Sequence, residues 1–155
     1  MSWIIAGWWI LYAALAIALQ SLVPGLDFLL PGLLLALQQR QFMRSLCLAA
    51  VFLVLQEGMG SMSFGSTFLL YILTFLSFYA ACSLFEGKST LFVVLLGAAL
   101  AAAHYFTFAL AASLQDIPWQ AAALRTECVM QAFFTPLLWW AASTLYRIAI
   151  HEGRA

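Results

Sequence analysis

Acidic side chains between the apolar stretches of the chain are the first candidates for chemistry. Two carboxylates held close together can act as a general acid and a general base. No recognisable cavity motif accompanies the carboxylates here, and the interpretation we favour is a set of solvated loop residues on one side of a membrane. We treat them as candidates for binding or structure. They are Asp27, Glu57, Asp116 and Glu127.

His104 is the one titratable side chain deep inside an apolar stretch. Ionisable groups in membrane segments are rare and often functional, so His104 is a candidate for proton transfer or ligand contact. A neutral imidazole can also make an ordinary hydrogen bond between helices or lie at the membrane interface. This second interpretation is the one we favour.

Sequence motifs for enzymes, metal sites and nucleic-acid binding are missing. There is no Gly-x-Ser-x-Gly nucleophile turn and no metalloprotease spacing of His and Glu. Cys47, Cys82 and Cys128 lie in separate apolar contexts, without the spacing of a metal or redox site. The formal net charge is +0 and no basic cluster exists, which argues against nucleic-acid binding. We therefore predict a protein without catalytic activity or cofactor.

The composition is that of an integral membrane protein. Six basic and six acidic residues punctuate a chain of 155 residues that is 66% hydrophobic. Since about 20 apolar helical residues cross a bilayer, the last three of six apolar runs span easily, the first also spans, and the second and third are short. We expect one all-α transmembrane domain over residues 1–155. The runs are Trp3 to Leu19, Leu22 to Leu37, Leu46 to Leu55, Phe64 to Phe85, Leu91 to Leu114 and Cys128 to Ile150.

Basic residues predict the orientation of this domain. If all six runs cross, Arg40, Arg44, Lys88, Arg147 and Arg154 lie on one side, which is the cytoplasm by the positive-inside rule. Both termini are then cytoplasmic. A re-entrant pair formed by the short second and third runs would keep the even parity, with poorer agreement.

Two features of the last runs concern helix packing. Gly97 and Ala101, four residues apart, offer a small-residue surface for the close approach of another helix. Pro136 removes a backbone hydrogen bond within the final run and predicts a kink there.

The stretch from Leu55 to Tyr71 differs most from generic membrane composition. In it, Gln56-Glu57 ends a short apolar run, a Gly/Ser-rich turn follows, and Phe64-Gly65 opens a long helix. We expect Glu57 to accept hydrogen bonds from backbone N–H groups of the turn or of the next helix. Ser63, Ser66 or Thr67 is expected to cap that helix.

This stretch resembles the rod shape-determining protein MreD family of small bacterial inner-membrane proteins. Gln56-Glu57 and Ser63-Phe64-Gly65 match the family's pattern, although the family more often has Asp and Pro where Glu57 and Ser63 stand. Leu26-Asp27-Phe28-Leu29-Leu30 is similar to the family's Pro-Asp opening of the second segment, with the proline displaced to Pro24. Phe134-Thr135-Pro136 is similar to its Pro-containing final helix. The resemblance spans nearly the whole chain.

The resemblance implies a non-enzymatic scaffold of the cell-elongation machinery in the bacterial inner membrane. It implies as partners MreC, the actin-like MreB and the peptidoglycan synthases that build the lateral wall. It also implies a fold related to the vitamin-binding subunits of energy-coupling transporters. The rival hypothesis is therefore a small-ligand binding subunit with Glu57, Asp27, Glu127 and His104 around an outward cavity.

Overall fold

The computed structural model shows a helical bundle. It describes residues 2–23, 25–58, 65–83, 89–114 and 120–152. Within these ranges the chain forms six α-helices and no β-strand, as the sequence predicts. The helices are α1 (Ser2–Leu22), α2 (Leu30–Gln38), α3 (Phe42–Gly58), α4 (Ser66–Cys82), α5 (Thr90–Leu114) and α6 (Ala121–Glu152).

Three helices are long and apolar enough to cross a membrane. They supply spans of 20 residues in α1, 25 in α5 and 29 in α6, and about 20 residues are needed. By length and composition the chain is a membrane protein. Helix α4, which the sequence predicts to span easily, has 17 residues over its described range. At a rise of 1.5 Å per residue it is about 26 Å long, slightly less than the hydrocarbon core.

The outer surface of the bundle is apolar. Ile10 and Val54 are each 71% exposed, and Phe133 is 70% exposed. Exposed apolar surface on this scale is unfavourable in water but suits contact with lipid, where hydrocarbon replaces the hydration shell.

Helix α2 is short and lies inside the bundle. Every residue from Leu30 to Leu37 is buried, and the helix contacts α3, α4 and α6. Its nine residues extend about 14 Å, which is half of a hydrocarbon core. The second apolar run, Leu22 to Leu37, is helical over only part of its length, because the described part of residues 23–29 is not helical. Such irregular backbone is tolerated at membrane depth when protein covers it.

Helices α3 and α6 begin earlier than their apolar runs. Helix α3 starts at Phe42 and includes Arg44, whereas its run starts at Leu46. Helix α6 starts at Ala121, seven positions before Cys128, because three alanines favour the first helical turn. Apolar runs mark the part of a helix that avoids water, and polar helical ends extend beyond that part.

Most charged side chains separate between the two ends of the bundle, and the described exception is Arg125, which lies near the start of α6 with Glu127. Cavities at one end are lined by Arg40, Arg44 and Arg147, and we call it the arginine end. Helix α3 carries Glu57 to the opposite end, where the Glu127 side chain lies over Gly25. We call this the acidic end. Of the residues used to predict orientation, Lys88, Asp116 and Arg154 lie outside the described part of the chain.

Helices α5 and α6 form the largest helix pair and meet at two residues predicted to matter for packing. A Cβ atom built on Gly97 would lie 3.5 Å from Pro136 Cδ and 3.6 Å from the Ala132 carbonyl oxygen. Pro136 has no N–H to bond that carbonyl. Helix α6 nevertheless continues through the proline, and Ala101 is buried one turn further along α5.

Candidate functional site

Asp27 organises the connection between α1 and α2. Asp27 is only 2% exposed, so the interpretation of a solvated loop carboxylate is wrong for this residue. Asp27 Oδ1 accepts hydrogen bonds from Leu29 N–H at 2.9 Å and from Leu30 N–H at 3.0 Å. Helix starts carry N–H groups with no partner inside the helix, and an aspartate is well suited to bind them. Pro31, which has no N–H, follows directly. One carboxylate oxygen therefore stabilises the buried start of α2.

Gln131 of α6 binds the backbone of Asp27 with both ends of its amide. Its Oε1 accepts from Asp27 N–H at 2.9 Å, and its Nε2 donates to the Asp27 carbonyl at 3.1 Å. Gln131 Nε2 also donates to Thr135 Oγ1 at 3.2 Å, and the Thr135 hydroxyl donates to the Gln131 carbonyl at 2.7 Å. All of these groups are buried. Gln131 thus makes the two hydrogen bonds that the backbone N–H and carbonyl of Asp27 would otherwise form within a helix or a sheet.

Tyr12 of α1 holds the same segment from the other side. Its hydroxyl donates to the Phe28 carbonyl at 2.8 Å, and its ring lies over Gly32 in the first turns of α2. A Cβ atom on Gly32 would overlap this ring, with Tyr12 Cζ at 2.8 Å. Gly32 is therefore the residue that lets the Tyr12 ring of α1 lie against the backbone of α2.

The second carboxylate oxygen of Asp27 has no hydrogen-bond partner in this site. Asp27 Oδ2 is buried and has no hydrogen-bond partner, and the same is true of Tyr71 Oη in α4. Tyr71 and Tyr12 both lie within electrostatic range of Asp27. We call the group formed by Asp27, Tyr12, Tyr71, Gln131 and Thr135 the Asp27 site. It contains a protonatable oxygen and hydroxyls, but no nucleophile paired with a base.

The turn before α4 contains the second pair of sequence-predicted residues. Glu57 Oε1 accepts a hydrogen bond from Gly65 N–H at 3.1 Å, which is the contact predicted for Glu57. Gly65 is the N-cap of α4, with φ of +84° and no side-chain cap. The expectation that Ser66 or Thr67 caps the helix is therefore wrong, because both side chains are buried and the left-handed glycine takes the cap position. Ser63 and Phe64 lie outside the described residues.

Gly65→Val should destabilise the protein by about 1–2 kcal/mol, since an L side chain disfavours the left-handed backbone of this residue. A Cβ atom on Gly65 would meet nothing within 4 Å, so the effect is one of backbone strain alone. Glu57→Gln should have a smaller effect because an amide oxygen can still accept the Gly65 N–H. The measurement is the folded yield in membranes together with thermal stability in detergent.

Gly58→Val is the control for the Gly65 prediction. Gly58 also has open space around it, but its φ is not positive. Equal losses for the two valine variants would show that backbone strain at Gly65 is not the cause.

The remaining sequence-predicted residues are dispersed. Gln56 and His104 are buried in α3 and α5. His104 Nδ1 has no hydrogen-bond partner, so that atom does not make the expected bond between helices. Pro136 follows Thr135 and is thereby adjacent to the Asp27 site. Of the residues selected from the sequence, Asp27 thus lies near Pro136, through Gln131 and Thr135. Glu57 is in direct contact with Gly65.

Sequence reasoning did not select Gln131, Tyr12, Tyr71 or Gly32. A glutamine within an apolar run does indicate a structural or functional contact, because an amide placed in hydrocarbon requires a hydrogen-bond partner. Tyr12 and Gly32 gave no comparable signal, since tyrosines and glycines are common in membrane helices. Within the described residues no group of three or more metal-ligating side chains is present.

Comparison with known protein families, with curated proteins and with solved structures finds no match for this chain.

Proposed function

We propose that this protein is a non-enzymatic scaffold of the bacterial cell-elongation machinery, located in the inner membrane and working with MreC, MreB-type filaments and peptidoglycan synthases. In this proposal all six helical segments traverse the bilayer, α2 doing so together with its irregular connection. Both termini face the cytoplasm.

The observation that carries the proposal is the contact between two separate parts of the resemblance. Asp27 belongs to the motif at the second segment, and Thr135 precedes the proline of the motif in the final helix. Gln131 hydrogen-bonds to both of them. The third motif makes a contact within itself, in which Gly65 N–H donates to Glu57 Oε1. Two of the three motifs, far apart in the sequence, thus share hydrogen bonds through Gln131.

The roles of the acidic residues support the scaffold over the ligand-binding alternative. Asp27 and Glu57 use carboxylate oxygens to hold backbone N–H groups of connections. The Glu127 carboxyl group lies against Gly25, within 2.7 Å of where a Cβ atom would be. The rival hypothesis needs these carboxylates to recognise a ligand instead. What favours the rival is that Asp27 Oδ2 and Tyr71 Oη are both buried without a hydrogen-bond partner.

The separation of charge between the two ends supports the proposed orientation. Arg40, Arg44 and Arg147 share the arginine end, which the positive-inside rule assigns to the cytoplasm. Reporters inserted near Lys88 and fused after Ala155 should both be cytoplasmic. Periplasmic activity of either reporter would contradict six crossings.

The experiment that tests the function is depletion of the protein in a rod-shaped host, combined with purification in mild detergent. Depleted cells should become round, and MreC should co-purify with the tagged protein. Glu57→Gln should retain MreC if Glu57 is structural. Loss of MreC from a well-folded Glu57→Gln variant would make the turn a binding site. Normal rods, together with saturable binding of a vitamin-sized ligand, would favour the transporter alternative.

A further inference from the structure

A cavity of about 560 Å³ lies at the arginine end, between the end of α2, the start of α5 and the last turns of α6. This volume is within the range of small-ligand sites. Arg40 and Arg147 line the cavity together with Gln39, Thr90, Leu35 and Trp140. No carboxylate is among the described lining residues, so the two guanidinium groups give the cavity a positive charge.

Arg40 has an unusual backbone for its residue type. It follows the C-cap of α2 with φ of +55° and is the only non-glycine residue with positive φ in the described chain. Glycine is the usual residue at this position, because an L side chain in the left-handed region costs about 1–2 kcal/mol. Strain of this kind points to a use for the side chain. Arg40 is one of the residues that line the cavity.

Gln39 provides a hydrogen-bond donor in the same place. Its Oε1 accepts from the Tyr146 hydroxyl at 3.1 Å, which fixes the amide. Its Nε2 is buried and has no hydrogen-bond partner. A buried N–H donor without a partner is unfavourable unless an acceptor binds there. Gln39 therefore adds a neutral donor to the guanidinium groups of Arg40 and Arg147.

We propose that this cavity binds the phosphate headgroup of an anionic phospholipid. Guanidinium groups match phosphate oxygens in charge and geometry. Basic pockets between membrane helices are suited to such headgroups. The ligand is a lipid, because Trp140, which lines the cavity, is 61% exposed and offers an apolar ring on the outer surface of α6. Acyl chains can lie on this surface while the phosphate contacts the arginines.

Native mass spectrometry of the full-length protein, with phosphatidylglycerol and phosphatidylcholine supplied in equal amounts, tests the proposal. Phosphatidylglycerol should be retained preferentially. Arg147→Gln should weaken its binding about fivefold, the effect expected for one arginine near an anionic headgroup. The Arg40→Gly, Arg147→Gln double variant should weaken it roughly 25-fold.

The chain contains a matched control in Arg125. Arg125 Nε donates to the Ala121 carbonyl four residues earlier, just as Arg147 Nε donates to the Ser143 carbonyl. Both arginines are exposed on α6, but Arg125 lies near its other end. Arg125→Gln should leave phosphatidylglycerol binding unchanged. Equal losses for Arg125→Gln and Arg147→Gln would overturn the proposal, because they would indicate a nonspecific charge effect.

Arg40→Gly separates binding from folding. Glycine relieves the left-handed strain, so this variant should have a higher unfolding temperature in lipid-free detergent and a weaker affinity for phosphatidylglycerol. Unchanged affinity would overturn the role of Arg40. A final arm adds inorganic phosphate to the wild-type protein. If millimolar phosphate raises the unfolding temperature while phosphatidylglycerol does not, the site binds free phosphate and the lipid assignment is wrong.

Discussion

Gly32→Ala should destabilise the protein by about 2–3 kcal/mol, the loss typical of an overpacked core. Alanine normally favours a helix over glycine. At this position the added methyl group would overlap the Tyr12 ring, with Cζ at 2.8 Å and Oη at 3.0 Å. The ring cannot move away without losing the hydrogen bond from its hydroxyl to the Phe28 carbonyl. Thermal or denaturant unfolding in detergent measures the loss.

Gly7→Ala is the control for Gly32→Ala, since Gly7 is also a helical glycine but has nothing within 4 Å of its missing Cβ atom. It should be neutral or stabilising by about 0.5–1 kcal/mol. Combining Gly32→Ala with Tyr12→Leu should recover part of the stability by removing the ring. A Gly32→Ala protein as stable as Gly7→Ala would show that the ring does not lie on α2.

Gln131→Met should cost about 2–4 kcal/mol. Methionine has nearly the same length and shape, so packing is largely kept, but the Asp27 N–H and carbonyl both lose their Gln131 partner. Buried polar groups left without partners cost about 1–3 kcal/mol each. Hydrogen bonds between membrane helices are often worth less than this, because side chains find other partners in the unfolded state. The backbone of a buried irregular segment has no such alternative in the folded bundle.

The control for Gln131→Met is Thr126→Val, also on α6. The Thr126 hydroxyl donates to the Ala122 carbonyl and is exposed, so its removal should change stability by less than about 0.5 kcal/mol. If Gln131→Met is equally mild, another group must satisfy the Asp27 backbone.

Hydropathy and charge were sufficient to predict the helical membrane class. Long apolar runs correspond to α1, α5 and α6, because crossing a bilayer requires a length of apolar helix that can be read directly from the sequence. Hydropathy did not predict that the second run contains only a short buried helix. Leucines of a helix buried in protein and leucines facing lipid give the same hydropathy, so α2 looked like part of a membrane span.

The candidate site was predictable only where a contact is local in sequence. Glu57 and Gly65 are eight residues apart, and the glycine-rich turn between them suggested their hydrogen bond. Asp27 and Gln131 are 104 residues apart, and no pattern in one sequence links an aspartate to one particular distant glutamine. Gly32 similarly depends on a ring that reaches it from another helix.

The buried position of α2 has a consequence for the order of events during biosynthesis. Helix α1 can leave the translocon for lipid as soon as it is made, whereas the nine residues of α2 are too few to follow it as an independent span. The backbone of Asp27 cannot form its hydrogen bonds to Gln131 until that residue is synthesised, about a hundred residues later. We therefore expect the segment that contains Asp27 and α2 to reach its final position in the nascent chain only after the last helix has emerged. Truncation within α6 should expose that segment to membrane quality-control proteases even when the earlier helices have been inserted.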